Sequence, residues 1–181
     1  MPVQGEKVHS RTIEISTYAQ DKDKVIVEGL LKDERFQETH VPTGEKFPRG
    51  IMHHLGIRLL VNCSSMMIEE VDVKLFQVPR AFCLETADCL APIKGMQISR
   101  GFSKRLKELV GGTKGCAHLV ELLQAMAPAV FQGVAAYRSK KLVKLDTKTL
   151  QMVYNRLVNS CHVWREGGPI AKAIKQKLST P

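Results

Sequence analysis

Hydrophobic alternation in the first half of the chain predicts four β-strands. A period of two places every second side chain on one face, and this period runs through residues 11–17 and 24–31. It returns in residues 55–61 and 71–75, which predict a hairpin. Consecutive antiparallel strands of this kind form a sheet with one face that needs cover. Residues 1–10 are expected to be a loose lead-in.

The polar segment 32–50 separates the two predicted strand pairs. It is charged and is punctuated by Pro42, Gly44, Pro48 and Gly50. Prolines and glycines at this density predict a loop, and loops of this length are often functional or mobile.

The hydrophobic period changes to that of helices after Pro79. Residues 80–94 follow neither pattern, and apolar residues then recur every three to four positions. Strands followed by helices are typical of an α+β fold. We therefore predict an antiparallel sheet of about four strands within residues 11–78, covered on one face by helices from 95–181. The whole chain, 1–181, is long enough to form a single domain with its own core.

Cap and breaker residues predict where the helices begin and end. Ser99 is expected to cap the first helix. The main helix should span 116–137, with Pro128 kinking or splitting it. Asp146 is expected to cap a further helix, and residues 167–169, Gly-Gly-Pro, should end it.

Composition narrows the function classes. The net charge of +9 favours an anionic partner, but the basic residues are scattered along predicted helices. No aromatic-basic strand motif or zinc-finger spacing is present, so nucleic-acid binding is not favoured. No apolar run reaches the roughly 20 residues of a membrane span, and the amino end lacks a signal-peptide pattern. We therefore expect a cytoplasmic protein with no membrane partner. The odd number of cysteines, five, favours thiols or metal ligands over disulfides.

A glycine-rich turn at residues 111–119 carries the first candidate site. Its sequence, Gly-Gly-Thr-Lys-Gly-Cys-Ala-His-Leu, places Cys116 and His118 at the start of the main helix. Unpaired amides and the dipole at a helix start favour the thiolate form of a cysteine. Cys116 and His118 are therefore the candidate catalytic residues. A small packed cysteine beside a hydrogen-bonded histidine is the structural alternative.

Further cysteines and histidines could join Cys116 in a metal site. Cys161 and His162 follow an apolar helix, Cys83 lies after the last strand, and His53 precedes the third strand. Thiolate and imidazole are ligands of zinc or of an iron–sulfur cluster. The full set of candidate metal ligands is Cys83, Cys116, His118, Cys161, His162 and His53.

Three functions stay open on these residues. The leading hypothesis is a metal-binding protein, with zinc favoured over an iron–sulfur cluster if imidazole takes part. The second is a metal-free thiol enzyme in which Cys116 is the nucleophile and His118 or His162 the base. The third is a module that binds a small molecule, an anion or a protein partner. The sequence does not decide whether the protein is an enzyme, nor whether it forms a homo-oligomer.

Several short motifs resemble those of a known family. They are a histidine ahead of the hairpin, Pro-x-x-x-Cys after it, Gly-Cys-Ala-His-Leu, and a final Cys-His-x-Trp-Arg before Gly-Pro. The matching stretches are residues 52–55, 58–59, 79–83, 95–102, 115–119 and 161–169.

On these motifs the chain resembles the uncharacterised bacterial domain of unknown function twenty-eight eighty-nine, over most of residues 11–170. It departs from that pattern at Ala117, where threonine is expected, and by a second histidine, His54. The resemblance implies a set of site residues and no particular reaction. A looser similarity of layout links Cys83, Cys116 and Cys161 with iron–sulfur scaffold proteins of the IscU type. Likeness of layout does not transmit function.

Overall fold

The structure, a computed structural model, describes residues 4–139 and 146–179. The chain divides into two compact units, Met1–Tyr137 and Arg138–Pro181, which we describe separately. The single domain expected from the sequence stays a prediction.

The first unit contains the antiparallel sheet that the alternation predicts. Its strands are β1 (His9–Ala19), β2 (Lys24–Arg35), β5 (Gly50–Asn62) and β6 (Ile68–Gln77), and a separate small hairpin pairs β3 (Thr39–His40) with β4 (Lys46–Phe47). The sheet order is β1-β2-β5-β6, with every neighbouring pair antiparallel. The meander and the α+β class are therefore confirmed.

The strands extend further than the hydrophobic alternation indicates. β2 continues from the predicted end at Leu31 to Arg35, and β5 already begins at Gly50. The added residues are mostly charged or polar, so hydrophobicity gives no signal there, yet their backbone groups pair across the sheet. Part of the predicted loop 32–50 is therefore strand.

Two helices of the first unit share one hydrophobic core with the sheet. Helix α1 spans Phe102–Val110 and helix α2 spans Ala117–Arg138. The inward side chains of β2 and β5 meet apolar side chains of both helices, and burial of this apolar surface is the main favourable term in folding. The buried residues of α2 are Leu119, Val120, Leu122, Leu123, Met126, Ala127, Val130 and Val134.

Two expectations about these helices are corrected. The residue before α1 is Gly101, with a φ of 82° and no side-chain cap, so Ser99 is not the cap. Instead the Ser99 hydroxyl accepts a hydrogen bond from Arg105. Pro128 lies inside α2, which runs as one helix of 22 residues, so the expected split does not occur, while the kink stays a prediction. By length and composition α2 could also cross a membrane, a test that core helices of folded proteins pass as well.

The second unit contains two helices that pack on each other, α3 (Thr147–Leu157) and α4 (Pro169–Ser179). The Asp146 carboxylate accepts a hydrogen bond of 2.8 Å from the backbone N–H of Thr149, which confirms the predicted cap. Helix α3 already ends at Leu157, so Gly-Gly-Pro at 167–169 does not end it as expected, and Pro169 is instead the first residue of α4.

Candidate functional site

A buried carboxylate lies at one end of the sheet. Asp33 is only 4% exposed, and it is the one charged residue classed as buried in residues 4–139 and 146–179. It continues the inward series of Val25, Val27 and Leu31, so its side chain projects towards the helices. Since an unpaired buried charge is costly, Asp33 needs partners.

Strand register supplies two of those partners. Arg11 on β1 and His53 on β5 pair directly with Asp33 on either side. Directly paired residues project to the same face of a sheet. The continuous register of β2 with β5, from Lys24 opposite Asn62 onwards, places His53 opposite Asp33, and the register shifts only after this pair, where Glu34 pairs with Ile51.

Arg11 holds the carboxylate in its ionised form. Its Nε and Nη2 donate hydrogen bonds of 2.7 Å to Oδ1 and Oδ2 of Asp33, and its Nη1 donates to Glu121. Burial acts to raise the pKa of Asp33, but the hydrogen bonds and charge of Arg11 outweigh it and lower that pKa below its usual range. His9 Nε2 lies 3.4 Å from Asp33 Oδ1.

Two imidazoles converge on the other oxygen of Asp33. His53 Nδ1 lies 3.2 Å from Oδ2, and His118 Nε2, from the first turn of α2, lies 3.7 Å from the same atom. The two rings are stacked with centroids 3.9 Å apart and a tilt of 31°. Burial and the neighbouring charge of His118 lower the pKa of His53, which favours its neutral form.

Cys116 lies on the opposite side of the His118 ring. Its Sγ is 3.8 Å from His118 Nδ1, and its carbonyl accepts the first hydrogen bond of α2, from Val120. Burial acts to raise the pKa of the Cys116 thiol, but the contact with His118 and the amides of Leu119 and His118 lower it overall. The same contact with Cys116 raises the pKa of His118.

The glycine-rich turn sets the position of Cys116 through close packing. A Cβ on Gly115 would lie 2.6 Å from the carbonyl oxygen of Val110 and 3.2 Å from Cys89 Sγ. Real Cβ atoms essentially never show a contact as short as the one with the Val110 oxygen, so glycine suits the path of the chain into α2.

Asp33, His53 and His118 form a group that could hold a metal ion. One ligand atom from each lies within 4.8 Å of the other two. Of the residues proposed as ligands from the sequence, His53 and His118 are thus brought together. Cys116 contacts His118 at the ring nitrogen that does not face Asp33.

The other proposed ligands are placed differently. Cys83 lies in a short 3-10 segment, Ala81–Thr86, and is not in the group. Within residues 4–139 no three cysteines converge, so an iron–sulfur ligand set is not supported there. Cys161 and His162 lie in the second unit, in a turn after α3 and not on a helix, and both are exposed. Their role as ligands stays a prediction.

Sequence reasoning missed Asp33 and Arg11. The alternation ended the second strand at Leu31 because residues 32–35 are all charged. A signal was nonetheless present: Asp33 falls in the inward phase two residues after Leu31, and a carboxylate in that phase must find a partner.

Residues 9–132 match a family model described as "Protein of unknown function (DUF2889)". No curated protein and no solved structure matches the chain. The matched region contains Asp33, His53, Cys116 and His118 but ends before residues 161–169, which the resemblance had included. The chain belongs to this family of unknown function.

Proposed function

We propose that the protein binds one divalent transition-metal ion through Asp33, His53 and His118, with zinc the best fit. The observation that carries this proposal is the spacing of ligand atoms around Asp33 Oδ2. His53 Nδ1 is 3.2 Å away and His118 Nε2 is 3.7 Å away.

These distances suit a tetrahedral ion. Zinc binds imidazole nitrogen and carboxylate oxygen at roughly 2.0–2.1 Å, which places neighbouring ligand atoms of a tetrahedron about 3.3 Å apart. The two observed separations lie on either side of that value. The third separation, between the two imidazole nitrogens, is at most 4.8 Å, so the three atoms could close on one ion.

The protonation states also favour metal binding. Asp33 is held ionised by Arg11, and the lowered pKa of His53 keeps its imidazole neutral. Metals bind carboxylates and neutral imidazoles, so little proton release is needed at these two ligands. His118, whose pKa is raised, would lose a proton from Nε2 on binding.

Cys116 acts in this proposal on His118 and not on the metal. Metal-binding histidines usually donate their other ring N–H to a neighbour, which fixes the tautomer and the ring orientation. Here His118 Nδ1 faces Cys116 Sγ at 3.8 Å, which leaves Nε2 to face Asp33. The sulfur thus replaces the more common carboxylate or carbonyl partner.

Three protein ligands leave a coordination position open. Structural zinc sites are closed by four protein ligands, whereas catalytic sites keep one position for water or substrate. We therefore propose a catalytic ion that polarises a carbonyl group or activates water, in a cytoplasmic protein. An anion-binding module would need a cationic side chain that can donate to the anion. Arg11 donates its hydrogen bonds to Asp33 and Glu121, so it does not favour anion binding at this site.

Metal titration of chelator-treated protein, followed by competition with a coloured chelator, tests the proposal. Wild-type protein should bind about one zinc ion per chain. His53→Ala should weaken zinc binding at least about 100-fold, because loss of a residue that only hydrogen-bonds to a metal ligand already weakens it about 10–100-fold. His54→Ala is the matched control: His54 is adjacent in sequence, but its ring stacks on Phe76 at 4.6 Å.

Equal zinc affinity in wild type and His53→Ala would sink the proposed site. So would absence of binding by wild-type protein to Zn²⁺, Fe²⁺ and Mn²⁺ under anaerobic conditions. Loss of binding in His54→Ala as severe as in His53→Ala would show a folding defect in this part of β5, and would remove the support that His53→Ala offers.

A thiol enzyme is the second candidate, and the order of atoms across the His118 ring favours it. Cys116 Sγ, His118 and Asp33 follow one another at 3.8 Å and 3.7 Å. A nucleophile, a base and a group that orients the base form the arrangement of thiol hydrolases. In this candidate His118 takes the Cys116 proton and Asp33 stabilises the resulting imidazolium.

Alkylation kinetics of metal-free protein separate the two candidates. A thiol enzyme predicts that Cys116 reacts with iodoacetamide several-fold faster than an unstructured cysteine peptide near pH 7, and that His118→Ala removes the excess. A metal site alone predicts that bound zinc protects Cys116 from alkylation. It also predicts that Cys116→Ser binds zinc with an affinity within about 100-fold of wild type.

A further inference from the structure

Cys89 lies beside Gly115, the residue before Cys116, although Cys89 and Cys116 are 27 positions apart in sequence. The Cys89 side chain packs against the backbone of Gly115. A Cβ added to Gly115 would lie 3.2 Å from the Sγ and 3.3 Å from the Cβ of Cys89. The nearby backbone amide of Cys116 acts to lower the pKa of the Cys89 thiol, although burial raises that pKa overall. The Cys89 sulfur therefore lies within reach of the residue that carries the second thiol.

The surroundings of both thiols suit an exchange between a dithiol state and a disulfide state. Both residues are half-buried at the edge of the hydrophobic core, and neither is in a disulfide. Cys89 lies in the irregular segment between β6 and α1, which joins the core through Leu90 and Ile93. Segments of this kind move at lower cost than paired strands.

We propose that Cys89 and Cys116 form a reversible disulfide on exposure to a hydroperoxide, and that this bond controls the site at His118. Formation of the disulfide is independent of the proposed metal function, whereas its regulatory effect rests on that function. The bond would draw Cys116 Sγ towards Cys89 and away from His118 Nδ1, which it now faces.

The chemistry balances in two steps. The Cys116 sulfur attacks the distal oxygen of the hydroperoxide, the O–O bond breaks, and the products are Cys116 sulfenic acid and an alcohol, or water when the oxidant is hydrogen peroxide. The Cys89 sulfur then attacks the sulfenic sulfur, the S–O bond breaks, and water leaves as the S–S bond forms. A dithiol reductant restores both thiols.

The positions assign the two roles. We assign Cys116 as the attacking thiol because it lies directly before α2 with its sulfur 3.8 Å from His118 Nδ1. Cys89 is the resolving thiol because its side chain packs against Gly115, the residue before Cys116. Cytosolic disulfides are characteristically transient and redox-sensing, which agrees with the proposed compartment.

Peptide mapping of wild-type protein after brief treatment with hydrogen peroxide tests the bond without a variant. The chain should lose two titratable thiols, and one peptide pair joining Cys89 to Cys116 should dominate and disappear with dithiothreitol. A dominant link between any other two cysteines, or sulfinic acid on Cys116 with no link, would overturn the proposal.

Two variants test the role of Cys89 directly. In Cys89→Ser, Cys116 should be trapped as sulfenic acid, and should pass to sulfinic acid at least several-fold faster than in wild type. Cys83→Ser, altered in the same connecting segment, should behave as wild type. Equal overoxidation of Cys116 in all three proteins would contradict a resolving role for Cys89.

Zinc affinity of the oxidised chain tests the regulatory part. The Cys89–Cys116 disulfide should weaken zinc binding about 10–100-fold, as expected when the partner of a ligand is lost. A mapped disulfide with unchanged zinc affinity would overturn the regulation alone. Absence of zinc binding in both redox states would instead overturn the proposed function and leave the disulfide standing.

Discussion

The chain contains two Cys/His pairs, and their environments differ. Cys116 and His118 lie at the start of α2, half-buried, with a buried carboxylate 3.7 Å from the imidazole. Cys161 and His162 are both exposed in the turn between α3 and α4. In that turn the polar side chain of Asn159 bonds the backbone N–H of Glu166, and the carbonyl of His162 accepts from Arg165.

The difference teaches that residue type is a weak guide to a site. A metal or a proton-transfer group needs fixed distances and low solvent exposure, and these come from the elements that support a side chain. The His118 ring contacts Asp33 on β2, His53 on β5 and the Cys116 thiol. For His162 the described contacts are those of its backbone.

The largest expected effect concerns these two histidines. His118→Ala should weaken zinc binding at least about 100-fold, because a ligand is lost together with the contact that orients it. His162→Ala should leave zinc affinity within about twofold, since surface substitutions have small effects. Competition titration with a chelator measures both. A larger loss for His162→Ala than for His118→Ala would reverse the comparison.

A smaller effect is expected at a glycine near each pair. Gly115→Ala should destabilise the protein by about 1–3 kcal/mol, because the new Cβ would meet the Val110 carbonyl oxygen at 2.6 Å. Gly167→Ala meets no atom within 4 Å and only strains a positive φ of 75°, at about 1 kcal/mol.

Urea unfolding separates these two glycine variants. Trp164, the only tryptophan in the chain, reports on the second unit, and far-UV circular dichroism reports on the sheet and helices as a whole. Gly115→Ala should lower the midpoint seen by circular dichroism more than Gly167→Ala does. The opposite order would show that the path through Gly115 is not closely packed.

The smallest effect concerns pH. The pKa of His53 is lowered in the folded state, so the unfolded chain binds more protons at this residue and stability falls on acidification. The contribution is present above the unfolded histidine pKa of about 6.5 and is lost as the pH falls from there through the folded pKa. Asp33, with a lowered pKa, acts in the same direction at lower pH.

His53→Gln isolates this contribution in metal-free protein. The stability difference between wild type and His53→Gln should shrink as the pH falls from 7 to 5, and thermal unfolding at each pH measures it. A difference that grows on acidification would show that protonated His53 is stabilised in the folded state, which fits an ion pair with Asp33 and not a neutral metal ligand.

Much of the fold could be predicted from the sequence because burial leaves a periodic pattern. The strand meander, the helical second half and the Asp146 cap all follow from such local signals. The ends of strands did not, because backbone pairing in residues 32–35 needs no apolar side chains. The start of α1 was also missed, because Gly101, the residue before the helix, has no side chain that could mark it as a cap.

The candidate site could be predicted only in part. Sequence reasoning selected His118 and Cys116 because they are close in sequence and lie beside a glycine-rich turn. Asp33 and Arg11 were not, because their importance comes from cross-strand register. The register of β2 with β5 decides that His53 faces Asp33, and a slip of one residue in that register would turn the side chains to the other face of the sheet.

The sequence by itself thus determined the strand and helix pattern and several reactive residues, since hydrophobic period and residue chemistry are local properties. Only the tertiary structure decided which of these residues meet. It brought Asp33 between Arg11 and His53 through strand pairing, and it brought Cys89 against Gly115 through packing of a connecting segment. Contacts between residues distant in sequence depend on how whole elements pack, and no local pattern in one chain encodes that packing.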